Sequence, residues 1–378
     1  AASAAFASLG AIAKNKAPDI AVALLPLNGL AAENIASRRV KAAVAENGGS
    51  FPQEIDATAF DWARQAFLVE PATPVAVATL ALNAPEKNRR LLMEKAFELS
   101  RREQIITGWM IADSSARNDT QGILNYYDTT LRTNSSAAPV LIPVLVQALS
   151  NRDSVEPFAD LLMKDPPWAA SFWERVVAAP EALTNGALLR QRVYRNSENK
   201  EHFRDLDLIR ALAYSQHFGE AKKTYALLSS KPRSDDIVNN SSFDYEPQFA
   251  PLDWELMTTG QYGASIADGA LQLSAIEDAG GIFAKQLVEL PMAIMQMQVE
   301  TSAPIPDHVK LVIEISCAEK LYVSPRSIRI PINEMSTFRR ISNQNSGCRY
   351  FWINVVAHAL DQRGAFDILI RSLALQQG

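Results

Sequence analysis

The chain has 378 residues and a mass of 41.5 kDa, beyond the size at which single cores usually stop growing, so two domains are expected. Hydrophobic residues make up 48% and charged residues 21%, close to globular averages, which excludes a disordered or fibrous chain. A net charge of −5 and a pI near 5.6, with Lys and Arg scattered along the chain, exclude nucleic acid as the expected partner, because phosphate binding needs a concentrated basic face.

No uninterrupted apolar run approaches the ~20 residues needed to span a bilayer. The first residue is Ala1 rather than Met, and removal of a signal peptide, loss of a membrane anchor or trimming would each leave such a start. The small apolar stretch Ala1 to Ala13, followed by Lys14 and Lys16, reads as the first helix after a lost anchor. The expectation is a periplasmic or envelope-associated chain, exported to an oxidising compartment and touching membrane only through that missing segment.

From Ile20 to about Leu228 apolar residues recur at three- and four-residue spacing, which predicts helices. Breaks fall at Pro52, Pro71 to Pro74, Asn83 to Pro85, Asn134 to Ser136, Asp165 to Pro167 and Asn196 to Asn199, leaving pieces of a length suited to paired antiparallel helices. In the stretch Leu208 to Pro232, Gly219 is expected to close a first helix, Ala221 and Tyr225 to lie on the packing face of a second, and Pro232 to end it. A second pair runs from Trp109 through Asn118-Asp119, Ile123, Tyr127 and Leu131 to Asn134-Ser135, and a degenerate third ends in Leu92 to Arg101, with Ala96 and Leu99 at packing positions. These pairs resemble tetratricopeptide repeats, and the resemblance covers residues 20 to 232. A non-repetitive helical bundle is the alternative, and either is all-α.

Beyond Lys231 the clusters Ser234-Asp-Asp and Asn239-Asn-Ser-Ser242 mark a polar linker over 233–242, between a helical domain at 1–232 and a second domain at 243–378. Period two then takes over. Val309, Leu311, Ile313, Ile315 and Cys317 alternate with polar residues, as do Ala293, Met295, Met297 and Val299, then Ile328, Ile330 and Ile332, then Phe366, Ile368 and Ile370. One buried and one solvated face per strand is the pattern of an antiparallel sandwich. Further strands are expected at Leu252 to Met257, Ala270 to Ala275, Ile282 to Leu290 and Tyr350 to Ala357, and so many strands in this length point to a jelly roll. The segment Leu252-Asp-Trp-Glu-Leu-Met, with Gly269-Ala-Leu-Gln-Leu and Gly281-Ile-Phe-Ala-Lys-Gln-Leu-Val-Glu-Leu-Pro291, resembles the opening of galactose-binding-like and carbohydrate-binding jelly rolls. It is also similar to bacterial envelope proteins that join an anchor, a tetratricopeptide-like region and such a sandwich, although Met292 and Ala293 stand where that pattern has Pro-Gly and an aromatic.

Candidate chemistry is sparse. His202, His217, His308 and His358 fall at no metal-ligand spacing, and no nucleophile elbow or phosphate loop occurs, so no cofactor is expected. Gly280-Gly281 reads as a hairpin turn. Glu300 and Glu314 both lie on predicted solvated strand faces, and a glycosidase would need such a pair converging across a cleft, so the expectation is a protein that is not an enzyme. Trp352 and Asn354 should face away from the core side of their strand, making Trp352 either a stacking platform for a ligand or packing against the helical domain. Tyr262 is a second stacking candidate, whereas Trp254 is expected in the sandwich core and Trp62, Trp109, Trp168 and Trp173 in helical packing.

A disulfide is expected between Cys317 and Cys348. Cys317 ends an inward series, Cys348 precedes the strand at Tyr350, and the resembling envelope sandwiches carry Cys at both points. Together these features describe a non-catalytic binding or scaffolding protein, with a protein or peptide held by the helical array. The alternative is a carbohydrate-binding protein of polysaccharide assembly or export, working through the jelly roll.

Overall fold

A computed structural model describes residues 13–52, 54–196, 204–230, 236–319, 327–344, 347–360 and 364–377. Thirteen α-helices precede ten β-strands among these residues. The chain divides into two units, one made of residues 1–148 and 156–169, the other of 149–155 and 170–378. No helix among the described residues is long and apolar enough to cross a membrane.

The first unit contains α1 (Pro18–Leu24), α2 (Gly29–Glu46), α3 (Ala57–Val69), α4 (Pro74–Leu82), α5 (Glu86–Leu99), α6 (Gln104–Ala116), α7 (Thr120–Thr133) and most of α8 (Ala138–Leu149) and α9 (Val155–Leu162). Helix starts follow local chemistry. The side chains of Asn28, Asp56 and Asp119 accept the N–H of Ala31, Ala59 and Gly122, the usual work of an N-cap. Pro74 occupies the first turn of α4, where its missing N–H costs nothing. From α1 to α7 each helix packs on the next, while α2, α4 and α6 also touch in that order. Small residues permit the close approach: Ala32, Ala36, Ala63, Ala66 and Ala76 form one buried cluster, with Trp62 packed against it. A second cluster includes Val40, Met93, Ile106 and Met110, with Trp109 packed against it. Ala96 is buried as expected, but Leu99 is largely exposed, because it is the last residue of α5 and points off the packed face.

The second unit contains most of α10 (Ala169–Val177), then α11 (Leu183–Asn196), α12 (Asp205–Tyr214), α13 (Phe218–Leu228) and the sandwich. Trp173 is buried edge-on to Phe172. The turn between α12 and α13 is not made by Gly219. Gln216 supplies the left-handed residue (φ 65°) and His217 N–H donates to Leu212 O, so Gly219 lies in the first turn of α13 instead. Ala221 is buried as expected, whereas Tyr225 reaches sideways to donate its hydroxyl to Asp253 at 2.7 Å. Pro232 and His202 lie outside the described residues, as do residues 1–12.

The strands are β1 (Glu255–Leu256), β2 (Tyr262–Ala267), β3 (Ala270–Ala275), β4 (Gly280–Glu289), β5 (Ile294–Thr301), β6 (Val309–Cys317), β7 (Ile328–Ile332), β8 (Ser336–Ser342), β9 (Tyr350–Ala359) and β10 (Phe366–Gln377). They form two five-stranded antiparallel sheets, ordered β1-β4-β9-β6-β7 and β2-β3-β10-β5-β8, so the chain is a helical region followed by a jelly-roll β-sandwich. The alternation read from the sequence is the alternation observed: Leu311, Ile313, Ile315, Ile353, Val355, Met295, Met297, Val299, Ile368 and Ile370 all enter the core between the sheets. Trp254 is in that core beside Phe243. Val238, in the polar stretch before the sandwich, is buried there too, and the Asn239 backbone exchanges two hydrogen bonds with the buried Gln286 side chain. Gly280 and Gly281 are not a turn. They begin β4 opposite His358 and Ala357, and a Cβ at Gly280 would strike the Ala357 carbonyl, so glycine is needed there for close approach. The turn before them uses Asp278 at φ 56°.

Candidate functional site

Cys317 ends β6 and Cys348 immediately precedes β9, the strand hydrogen-bonded to β6, so pairing places the two Cα atoms 6.0 Å apart and the sulfurs are bonded. Among the described residues the one grouping of three metal-type ligands is Cys317, Glu319 and Cys348, and two of its three donors are consumed by that bond.

Trp352 lies on the outer face of the β1-β4-β9-β6-β7 sheet, as its strand parity requires. That face is occupied. Tyr214 of α12 stacks on Trp352 with centroids 5.7 Å apart and planes 24° from parallel, and the Lys285 ammonium sits 4.9 Å and 5.2 Å from the two rings. The Tyr214 hydroxyl donates to Glu255, which also pairs with Lys285 at 3.4 Å. Burial, and then the Glu255 carboxylate, push the Tyr214 phenol up from its ordinary value. One turn further on, Phe218 of α13 packs on Tyr350 at 5.0 Å. The helical hairpin is thus clasped to this sheet by aromatic pairs, and one face of the Trp352 ring is already used. Tyr262 turns toward the core, its ring 4.8 Å from that of Phe283.

Glu314 is on the outer face of the same sheet, across from Arg329 at 3.3 Å. Glu300 is on the outer face of the other sheet. With a sandwich core ~10 Å thick between the sheets, two carboxylates pointing away from each other cannot flank one glycosidic bond.

The outer face around Glu300 was not singled out from sequence. Register alone assembles it: Ser372, Glu300 and Ser336 form one row across β10, β5 and β8, Ala374, Gln298 and Phe338 the next, and Gln376, Gln296 and Arg340 the third. The inward partners Met295, Met297, Val299, Leu373 and Leu375 are buried, which fixes these nine outward. Phe338 is 48% exposed, unusual for a large ring on a sheet with a filled core. Glu300 accepts a hydrogen bond from the Gln298 amide at 2.7 Å, which orients both groups. The alternating Gln296, Gln298 and Glu300 were the visible signal, but Phe338 and Arg340 sit on a strand the periodicity did not reveal.

No protein-family model matches the chain, and no curated protein does. Similar folds occur among solved structures. A family 61 carbohydrate-binding module in complex with beta-1,4-galactotriose is 16% identical, with a TM-score of 0.26 over 38% of this chain and 100% of that one. A family 4 carbohydrate-binding module is 10% identical, with a TM-score of 0.27 over 37% of this chain and 99% of its own. A structure of accessory secretory proteins 1, 2 and 3 from Streptococcus pneumoniae is 12% identical, with a TM-score of 0.23 over 33% and 97%.

Proposed function

We propose that this chain is a non-catalytic carbohydrate-binding protein and that the glycan lies across the outer face of the β2-β3-β10-β5-β8 sheet. The observation that carries this is the nine-residue platform just described, in which an exposed aromatic ring is set among three carboxamides, a carboxylate and a guanidinium. A pyranose presents a patch of C–H groups and a rim of hydroxyls. The first stacks on a ring such as Phe338, and planar groups such as those of Gln296, Gln298 and Glu300 accept and donate to the second. Ala374, Ser372 and Ser336 are small, so a sugar can approach the sheet between the longer side chains. The disulfide suits an extracytoplasmic, envelope location for this binding.

The test is a polysaccharide affinity-gel and glycan-array comparison of the whole chain with Phe338→Ala and Gln298→Ala. At least one glycan is expected to be retained by the parent, and its affinity to fall about fivefold or more in each variant, since C–H stacking on a ring and amide hydrogen bonds are each worth on the order of 1 kcal/mol. Absence of any glycan ligand overturns the reading.

A second reading gives the helical region a protein or peptide partner. It is favoured by Val140 and Val144, which lie one turn apart on α8 and are 68% and 41% exposed. Peptides selected from a library on the whole chain should lose binding in Val144→Glu; peptides indifferent to that change count against it.

A further inference from the structure

We infer that the second unit holds another ligand site, a cavity of about 510 Å³ between α13 and the β4 end of the sandwich, and that it takes a neutral mono- or disaccharide. The volume falls within the range of ordinary small-molecule sites. One side is a continuous stripe of α13: Phe218, Lys222, Tyr225 and Ser229 recur at helical spacing and all line the space. The opposite side is Leu287, Val288 and Tyr350. Phe218 closes one end by packing on Tyr350 at 5.0 Å, which leaves Lys222, Tyr225 and Ser229 along the open length of the space.

The lining chemistry selects the ligand class. Its charges cancel in sum, Lys222 and the neighbouring Arg349 against Glu289 and Asp236. Lys222 donates to Glu289 at 2.6 Å, Arg349 donates to the other oxygen of the same carboxylate, and Asp236 accepts the Ser241 hydroxyl at 2.7 Å. Burial works against the Glu289 carboxylate, yet its Lys222 and Arg349 partners hold it below the usual range, so it stays ionised and matched. A strongly charged guest would find no net counter-charge. A purely apolar guest would desolvate those groups and the half-buried Tyr350 hydroxyl, which has no hydrogen-bond partner among the described residues. A neutral ring with C–H faces and hydroxyl edges satisfies both demands, lying against Tyr225 while meeting the Tyr350 hydroxyl. This site shares no residue with the platform on the other sheet and does not depend on it.

The experiment is calorimetric titration with maltose, lactose and cellobiose of the whole chain carrying Phe338→Ala, which silences the sheet platform, repeated after adding Ala226→Trp or Tyr350→Phe. Ala226 is exposed at the cavity wall, so a Trp there fills the space without entering the core. At least one disaccharide should bind the Phe338→Ala chain. Ala226→Trp should abolish that binding with the melting temperature retained, and Tyr350→Phe should weaken it roughly three- to tenfold. Binding that survives both cavity changes places the sugar elsewhere and overturns the inference, as does the absence of binding by all three probes. Loss of polysaccharide retention in Phe338→Ala bears on the sheet platform and leaves the cavity result standing.

Discussion

Glu33 shows how a single buried side chain ties the helical unit together. It rises from α2, is buried, and accepts the N–H of Val75 at 2.7 Å and of Ala76 at 3.3 Å, capping the start of α4, whose own Thr73 makes no side-chain cap. Burial raises its pKa above the ordinary carboxylate value of 4.5, with the two amide hydrogen bonds opposing. Because the folded value lies above the unfolded one, the native state favours the proton, and stability attributable to this group declines as pH rises from about 4.5 through the folded pKa. Glu33→Gln, which keeps an acceptor, should therefore gain stability relative to the parent as pH rises over that window, whereas Glu33→Leu should cost about 1–3 kcal/mol at neutral pH by stranding two N–H groups. Chemical denaturation of the three proteins between pH 4 and 8 checks both, and a Gln variant that loses ground with rising pH would be the wrong sign. Arg190 makes a comparable case in the second unit. Its side chain is 1% exposed and grips Asp205 with two hydrogen bonds, of 2.7 Å and 2.9 Å. Asp205→Ala should cost ~3–5 kcal/mol, because it leaves a buried guanidinium without its carboxylate. A loss below about 1 kcal/mol in urea denaturation would contradict the pairing. None of this was visible in sequence, where Glu33 and Arg190 look like any charged helix residue.

At the scale of elements, β3, β6, β7 and β9 were legible because each has branched or aromatic residues on one face and polar ones on the other. The strands β2 and β8 were not. Tyr-Gly-Ala-Ser-Ile-Ala carries side chains too small to show alternation, and Ser-Thr-Phe-Arg-Arg-Ile-Ser buries only Thr337 and Ile341 while exposing the Phe. The proposed sugar platform was hidden by the same fact, since three of its nine residues, Phe338 among them, stand on β8. Local spacing also misjudged Gly280 and Gly219, where a strand pairing and a Gln at φ 65° decide the geometry. The disulfide joins neighbouring strands across 31 residues of sequence, and a loop of that length should contribute about 3–4 kcal/mol in the chain-entropy model. Cys317→Ser with Cys348→Ser should lose that amount, and a loss under about 1 kcal/mol would show that the bridge constrains little. The Tyr214–Trp352 stack should appear in a double-mutant cycle as a coupling of about 0.5–1.5 kcal/mol. Coupling near zero would mean that the rings merely adjoin.

On the scale of the molecule, the α-then-β order was readable because the apolar period changes from that of helices to two along the chain. That helices cover the Trp352 face was one of the two readings of that strand, but that α12 and α13 are those helices was not readable, because it depends on Tyr214, Phe218 and Lys222 meeting Trp352, Tyr350 and Glu289 from distant sequence. It follows that residues 243–378 alone should melt well below residues 170–378, since the outer faces of Trp352, Tyr350 and Leu287 would be left in water. Equal melting temperatures would show that the hairpin only rests on the sheet. Under the proposed function, carbohydrate binds the outer face of the sheet containing β5 and β8, and not the aromatic cluster at Trp352. The most direct measurement is polysaccharide retention in affinity electrophoresis by the whole chain, by Phe338→Ala and by Trp352→Phe. The account predicts retention by the parent and by Trp352→Phe, and its loss in Phe338→Ala; retention lost in Trp352→Phe but kept in Phe338→Ala, or no retention by any of the three, would contradict it.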